Sequence, residues 1–530
     1  QDEVGTDARY YGKLSYNKFS IKNKFSLIGL ANNTNEQGFT FQDISSFSGG
    51  MQNVWDNNFF GNSDAGSLNG NTKGISDNLT GGMNLNNSSV KNLELNVNYI
   101  YSYTNNLLNQ HSLKNYIGAE NNFNSSTDSK QQLFNHNQRA NLKAVYKFSE
   151  NSNLTLKSNM NYTTADKNVF STQENYVIVN NPINSSISDS KTNSDGINIR
   201  NNLIFKQKFK KVGRTFVFDG SYNWRGAKSD ANLNSSQSYL DTASLLVSKL
   251  ILQNQLSDNP RNTLALKFTY TEPLTTESVL EFGYVHQNSL NGTKKSFYDL
   301  TPNSEIKTLN DSLSSDYSNQ YSFDKGGLKI RYNKGNTNFA IGATVQNSLL
   351  NGTSQKSDQP IKKTFLKTLP SLSLVQKFDH AGRMNLFYQA RVNEPSIDQL
   401  QPVIDNTNPL AVYKGNPNLD AEYSHTLNLN YNYFSQYSST SFFVYTYSSY
   451  ATKHIINAVT YDSLLVQTTQ PVNSKYQFFT SVYLSFSTPI KFLGVKIGLE
   501  PGGEYTDGLI FINGKQTGTK TYSSDLGWSL

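Results

Sequence analysis

From Leu93 to Thr104 the chain sets an apolar residue at every odd position and, Ile100 apart, a polar one at every even position. Successive side chains of a β-strand point to opposite faces, so such a run makes a strip with one apolar and one polar side. Thr426–Tyr433 repeats the pattern. The same period runs through Leu264/Leu266/Phe268/Tyr270, Phe216/Phe218/Tyr222/Trp224, Leu154/Leu156/Met160/Tyr162, Phe339/Ile341/Ala343/Val345 and Met384/Leu386/Tyr388/Ala390. A helical period of about 3.6 residues is sustained nowhere.

The connections between these strips alternate in length. Tight turns fall at Glu150-Asn151, Lys211-Val212-Gly213, Pro273-Leu274, Asn333-Lys334-Gly335, His380-Ala381-Gly382, Ser435-Gln436 and Pro489-Ile490. Between them 33–75, 106–136, 167–194, 229–257, 291–315, 393–420 and 451–472 read as long polar loops. A soluble sandwich or propeller has no reason to sort its connections by side. A bacterial outer-membrane barrel does, with short periplasmic turns and long extracellular loops. The expected fold is therefore all-β, an antiparallel transmembrane β-barrel, with residues 1–530 forming one barrel domain. The spacing predicts roughly 19 strands of about 10–15 residues, enough to cross a bilayer when tilted. Single-chain barrels close with an even number of strands, and Tyr522–Leu530 stops in mid-pattern. The expectation is a barrel of about 22 strands, truncated here at both ends and without its plug domain. A soluble β-solenoid would need a fixed repeat of about 20–50 residues, and the strand spacing here is uneven.

Composition narrows the function. Charged residues make up 16% of the chain and hydrophobic ones 36%, so polarity rests on Asn, Ser, Thr and Gln. The 32 Tyr and 31 Phe are too many for a chain that stays disordered. No stretch approaches the ~18 apolar residues of a membrane helix, and Gln1–Gly5 has neither the basic nor the apolar part of a signal peptide. The net charge of +7 comes from 47 basic and 40 acidic residues interspersed along the length, with only short pairs such as Lys210-Lys211 and Lys362-Lys363. A nucleic-acid partner is not expected. Without Cys there is no disulfide framework and no thiolate metal site.

Motifs for chemistry are missing. His111, His136, His286, His380, His425 and His454 lack metal-ligand spacing, and Asp311, Asp316 and Asp324 are too loosely spaced for a calcium loop. Gly-x-Ser-x-Gly, a zinc-protease helix and a phosphate-cradling glycine loop do not occur, and Gly502-Gly503 reads as a bend. Neither catalysis nor a metal or cofactor is expected.

Local segments carry a family resemblance. Gly5–Tyr10 followed by a strand, and then Ala31–Phe39, resemble the early barrel of TonB-dependent receptors. Asn393-Glu394-Pro395-Ser396-Ile397-Asp398-Gln399-Leu400-Gln401-Pro402 leads through Asp405–Leu410 into Lys414-Gly415-Asn416-Pro417-Asn418-Leu419-Asp420-Ala421-Glu422. This resembles the late-barrel loop of the same family in the variety abundant in Bacteroidetes, where P-S-x-x-Q-L and G-N-P-x-L-x-x-E segments recur. Asp420-Ala421 stands where Lys-Pro or Arg-Pro is common. The resemblance implies an outer-membrane receptor for energised uptake of a nutrient ligand: an iron chelate, an oligosaccharide or a peptide. Its partners would be outer-membrane lipid and a TonB-type energy-transducing complex acting through the plug, with a surface lipoprotein as a further candidate. The alternatives are a non-transporting adhesin, a secretion-associated barrel or a passive pore.

Pro395, Gln399, Leu400, Pro409, Gly415, Asn416, Pro417 and Glu422 form the motif of that loop. Pro fixes φ and Gly tolerates positive φ, so shaping the loop is favoured over touching a ligand. Tyr431/Tyr433, Phe443/Tyr445/Tyr447 and Tyr99/Tyr101/Tyr103 are expected on the lipid face or in the interfacial girdles. The aromatics inside long loops, Phe59, Phe60, Tyr298 and Tyr461, are the ligand-binding candidates.

Overall fold

Inside lipid no water replaces a missing hydrogen-bond partner, so strands that cross it must pair sideways along their whole length. The computed structural model meets that demand with one sheet of 26 strand segments. It describes residues 2–4, 8–35, 47, 73–116, 123–178, 181–240, 246–302, 304, 306–354, 357–378, 382–400, 404–405, 410–462 and 465–530.

The sheet opens with β1 (Asp2–Val4), β2 (Tyr10–Phe19), β3 (Asn23–Asn32) and β4 (Ile75–Asn87). The tallest wall follows: β5 (Leu93–Tyr116), β6 (Phe123–Ser149), β7 (Ser152–Ile178), β8 (Asn181–Lys208) and β9 (Thr215–Leu240). Next come β10 (Leu246–Asp258), β11 (Arg261–Pro273), β12 (Ser278–Leu300), β13 (Lys307–Leu309), β14 (Ser315–Lys334), β15 (Thr337–Ser354) and β16 (Ser357–Lys377). β17 (Gly382–Asn393) leads into helix α1 (Ile397–Leu400) and the short strands β18 (Ile404–Asp405) and β19 (Ala411–Lys414). The chain continues with β20 (Glu422–Ser435), β21 (Thr440–Thr452), β22 (Ile455–Tyr461), β23 (Gln467–Asn473), β24 (Tyr476–Ile490), β25 (Val495–Ile512) and β26 (Lys515–Ser529).

Each long strand pairs antiparallel with its successor, from β2–β3 to β25–β26. β10 and β11 run in one direction and one register between β9 and β12. They are a single stave broken at Asn259-Pro260, because proline has no N–H for the ladder. With those two counted as one, and the short β1, β13, β18, β19, β22 and β23 set apart, 19 staves remain among the described residues. That is the number the spacing predicts.

Five expected loops are mostly strand: 451–472 holds the β22–β23 hairpin, and the other four extend the wall. Pairing continues up to Tyr116↔Phe123, Ile178↔Asn181 and Leu240↔Leu246, and β12 continues to Leu300. The ranges 106–136, 167–194, 229–257 and much of 291–315 are thus extensions of the barrel wall. Beyond the bilayer the outward face meets water, so its apolar residues disappear while the backbone ladder persists. The alternation fades there, although the strand does not. As a result β6 and β7 have 27 residues and β8 has 28, whereas β20 has 14 and β21 has 13.

Proline also explains a split in the wall. β16 pairs with β15 up to Ser357, but with β17 only as far as Ser371. The next residue up, Pro370, lacks the N–H that would extend the second ladder. Among the described residues the upper part of β16 therefore has no strand neighbour on that side.

Candidate functional site

Register decides which side chains can meet a solute. Across β17, β20 and β21, Leu386, Leu429 and Thr446 are successive partners on one face, and Phe387, Asn428 and Tyr447 on the other. The first face continues into Ile330, Ile341, Val345, Leu79 and Met83, large apolar side chains exposed to the outside, as lipid contact requires. The second is the lumen.

On β3 to β7 the luminal face is built from amides. Asn96 Nδ2 donates to Asn84 Oδ1 at 3.1 Å, Asn141 Nδ2 to Asn98 Oδ1 at 2.7 Å and Asn159 Nδ2 to Asn141 Oδ1 at 2.5 Å. Buried amides cost free energy unless paired, and here neighbouring strands pair them. Phe47 enters this wall from the 33–75 segment, packed against Ile28, Leu30 and Ile100. Its carbonyl accepts Asn84 Nδ2 at 2.8 Å. A Cβ on Gly82 would stand 3.3 Å from the Phe47 ring and 3.1 Å from Ile100, so glycine makes the room. Phe47 thus lies on the luminal side of this wall.

The aromatics divide differently from expectation. Tyr99, Tyr101 and Tyr103 share the parity of Leu95 and Val97, and Tyr431 and Tyr433 that of Leu429, so these face outward. Phe443, Tyr445 and Tyr447 instead oppose Asn432, Asn430 and Asn428 and therefore face the lumen. Phe443 lies 6.0 Å from Tyr483, and Tyr447 the same distance from Phe479. Both faces of β21 carry apolar residues, so alternation alone gives no parity there. Counting pairs back through the turn, where Tyr433 meets Phe442, would have supplied it.

The late-barrel motif closes the split beside β16. Gln399 N–H donates to Ser396 Oγ at 3.2 Å and Ser396 N–H to Gln399 Oε1 at 2.9 Å. This reciprocal pair is a capping box for α1, placed just after the buried Pro395. Leu400 and Leu419 are fully buried among Tyr317, Tyr321, Leu350, Ile361 and Phe365. Asn416 ties the two halves together: its N–H donates to Gln399 O at 2.6 Å and its Nδ2 to Pro471 O at 3.0 Å. Gly415 is buried, and its carbonyl accepts Gln470 Nε2 at 3.3 Å. Pro417 is half-buried. Glu422 accepts Asn393 Nδ2 at 2.8 Å and pairs with His454. Lys363 Nζ donates to the carbonyls of Asn418 and Leu419 at 2.8 and 2.7 Å, and Tyr423 Oη donates to Thr368 O at 2.7 Å. The unpaired edge of β16 is thereby covered. Pro409 lies outside the described residues.

Of the loop aromatics, Tyr461 at the mouth packs edge-on against Phe123 at 5.1 Å and Tyr116 at 5.5 Å. The hairpin β22–β23 thus reaches the tip of β5–β6. Burial, reinforced by Tyr116, pushes the Tyr461 phenol well above its ordinary range. Tyr298 has the outward parity of Phe282 and lines a cavity of about 700 Å3 on the outer side of the rim, with Asp166, Lys228, Asp230 and Lys294. The two candidates are not brought together. Phe59, Phe60 and His380 lie outside the described residues. The other histidines have local partners: His136 with Tyr101 and His425 with Tyr388, each at 2.8 Å, His111 with Asp128 at 2.8 Å, and His286 with Asp324 at 2.9 Å. Among the described residues no group of three or more His, Cys, Asp or Glu is arranged for a metal. The site offers amide hydrogen bonds, aromatic faces and charge.

A model of the outer membrane protein beta-barrel family matches residues 207–524. The siderophore receptor PiuA from Acinetobacter baumannii is 10% identical, over 99% of this chain and 74% of its own, with a TM-score of 0.51. The RagAB peptide importer in its closed-closed state is 12% identical, over 96% of this chain and 62% of its own, with a TM-score of 0.48. The copper transporter OprC is 12% identical, over 81% and 59% respectively, with a TM-score of 0.47. No curated protein matches in sequence.

Proposed function

This chain belongs to the outer membrane protein beta-barrel family, and from that premise we propose that it takes up a nutrient ligand across the bacterial outer membrane at the expense of cellular energy. The observation that carries the reading is the luminal wall. Its amides, hydroxyls and aromatics line a path beneath a mouth that the motif loop and the β22–β23 hairpin narrow from one side. An adhesin needs only the outer surface of its loops and gains nothing from a wall of this kind. The barrel fold shared with PiuA is compatible with the reading.

Capture falls to the mouth, with Tyr461 and the loop residues Phe59 and Phe60 as contacts and Tyr298 serving a ligand or lipoprotein on the outer side. Passage falls to the lumen, driven by a TonB-type complex acting on a plug. No covalent step is involved. The ligand belongs to the iron chelates, oligosaccharides or peptides.

The test is growth of the intact bacterium, with and without the gene, on each limiting nutrient class, followed by uptake of the responsive solute before and after a protonophore. Loss of growth on one class, and uptake that stops with the protonophore, supports energised import. Uptake that survives it indicates a passive pore. Growth unaffected on every class removes transport and leaves an adhesin or a secretion barrel.

A further inference from the structure

Among the described residues, the wall from β9 to β17 carries luminal cations that no carboxylate neutralises. Register makes Arg225 and Arg261 direct partners across β9 and β11. Their parity, that of Ser221 and Thr263, is opposite to the apolar Tyr222 and Leu264, so both face the lumen. Like charges in directly opposed positions weaken a sheet. Among the described residues neither guanidinium has a carboxylate within ion-pair distance. Both line a cavity of about 390 Å3, together with Ser289, Asn291, Thr293 and Asn319. Glu394 and Asp398 reach the same cavity from the α1 segment without pairing to either arginine.

Six residues along β11, about 20 Å nearer the short turns, Lys267 begins a second set. Lys267, Val285, Lys325, Gln346 and Lys367 are successive partners across β11, β12, β14, β15 and β16. Among the described residues none of these three lysines forms an ion pair. The carboxylate opposite Lys267 is Asp219, which accepts Asn202 Nδ2 at 2.6 Å instead. Lower on the same wall Glu281 pairs with Arg331 and approaches Lys329. Among the described residues Arg225, Arg261 and the three lysines have no such carboxylate, and Lys325 and Lys367 instead lie over the rings of Phe323 and Tyr423 at 5.9 and 5.4 Å.

We propose that these residues form a binding track for an anionic solute bearing carboxylate or phosphate groups. The Arg225–Arg261 pair is its upper station and the Lys267–Lys325–Lys367 row its lower one. Two facing guanidinium forks match the paired oxygens of a carboxylate or phosphate, and the bound anion removes their mutual repulsion. Lysines act as flexible point charges and hold less tightly, which suits onward movement. The role in passage rests on the uptake reading; binding itself does not.

The probes are citrate and pyrophosphate, titrated calorimetrically into the full-length protein in detergent. Arg225→Gln/Arg261→Gln is compared with Lys210→Gln, which removes an exposed charge from the short turn between β8 and β9. Arg261→Gln alone serves if the double variant does not assemble. At least tenfold weaker binding in the arginine variants, with Lys210→Gln unchanged, is expected for at least one probe. Citrate alone identifies a carboxylate solute and pyrophosphate alone a phosphate one. Equal binding in all variants, or no binding of either probe by the wild type, overturns the proposal. Anion binding without ligand-dependent growth would remove the uptake reading and leave the site. Uptake of a neutral solute without anion binding would remove the site and leave uptake.

Discussion

Replacing Leu429 with arginine tests the assignment of faces directly. Leu429 stands midway along β20, between Leu386 and Thr446 on the outward face. An arginine facing lipid near the midplane costs about 2–4 kcal/mol. At 1.4 kcal/mol per factor of ten, that lowers the folded-to-unfolded ratio by about 30- to 700-fold. Asn428, one residue away, points between Phe387 and Tyr447 into the lumen, where an arginine keeps its water and costs about 1 kcal/mol or less. Refolding each variant into lipid vesicles against a denaturant series, read by the compact migration of unheated barrel in gels, gives the difference directly. Tyr445→Arg should follow Asn428→Arg in the same assay, and Tyr431→Arg should cost more than Tyr445→Arg. Equal losses at 428 and 429, or a larger loss at 428, would refute the reasoning from register.

Leu400→Ala empties a fully buried position under the motif loop and should cost about 2–5 kcal/mol locally. Protease added to intact cells should then cut within 394–421 while the barrel keeps its compact migration; unchanged resistance would sink the role of that cluster. Asp420 is held below the usual carboxylate range by its hydrogen bond from Lys453 at 2.7 Å, with burial opposing and Lys363 at 3.3 Å assisting. A depressed folded pKa means that its contribution is present above the unfolded value of about 3.9 and lost as pH falls through the lower folded one. Hydrogen-exchange protection of 411–421 should therefore drop below about pH 4, and Asp420→Asn should show the low protection at every pH. Protection in that variant that still falls with acid would exclude Asp420 as the titrating group.

The transmembrane part of the fold is legible in the sequence because lipid on one side and water on the other write a two-residue period, as in Leu93–Thr104. The tight turns are legible because that period restarts after each of them. What the pattern conceals has physical causes. Asp128, Lys130 and Asp189 sit exposed in strands above the bilayer, where the outward face meets water and the alternation fades. Phe443, Tyr445 and Tyr447 share a strand with an equally aromatic outward face, so only register separates the lumen from the lipid. Arg225 and Arg261 are far apart in the chain and become neighbours through one hairpin pairing. The Pro395–Glu422 motif is visible as residues, but its task becomes visible only beside Pro370 and the edge that it leaves open.

The unequal wall heights shape how a solute arrives. β7, with 27 residues, rises about 68 Å at ~3.3 Å per residue and a tilt of ~40°. The apolar band needs only about 25 Å of that height, so this side stands some 40 Å clear of the lipid. β21, with 13 residues, rises about 33 Å by the same measure and barely clears it. The result is a hood on one side and a low sill on the other, with the β22–β23 hairpin lying above the sill. On the uptake reading proposed above, the intake faces sideways along the cell surface, and a large solute drifting parallel to the membrane meets the hood's inner wall before it meets the axis of the barrel.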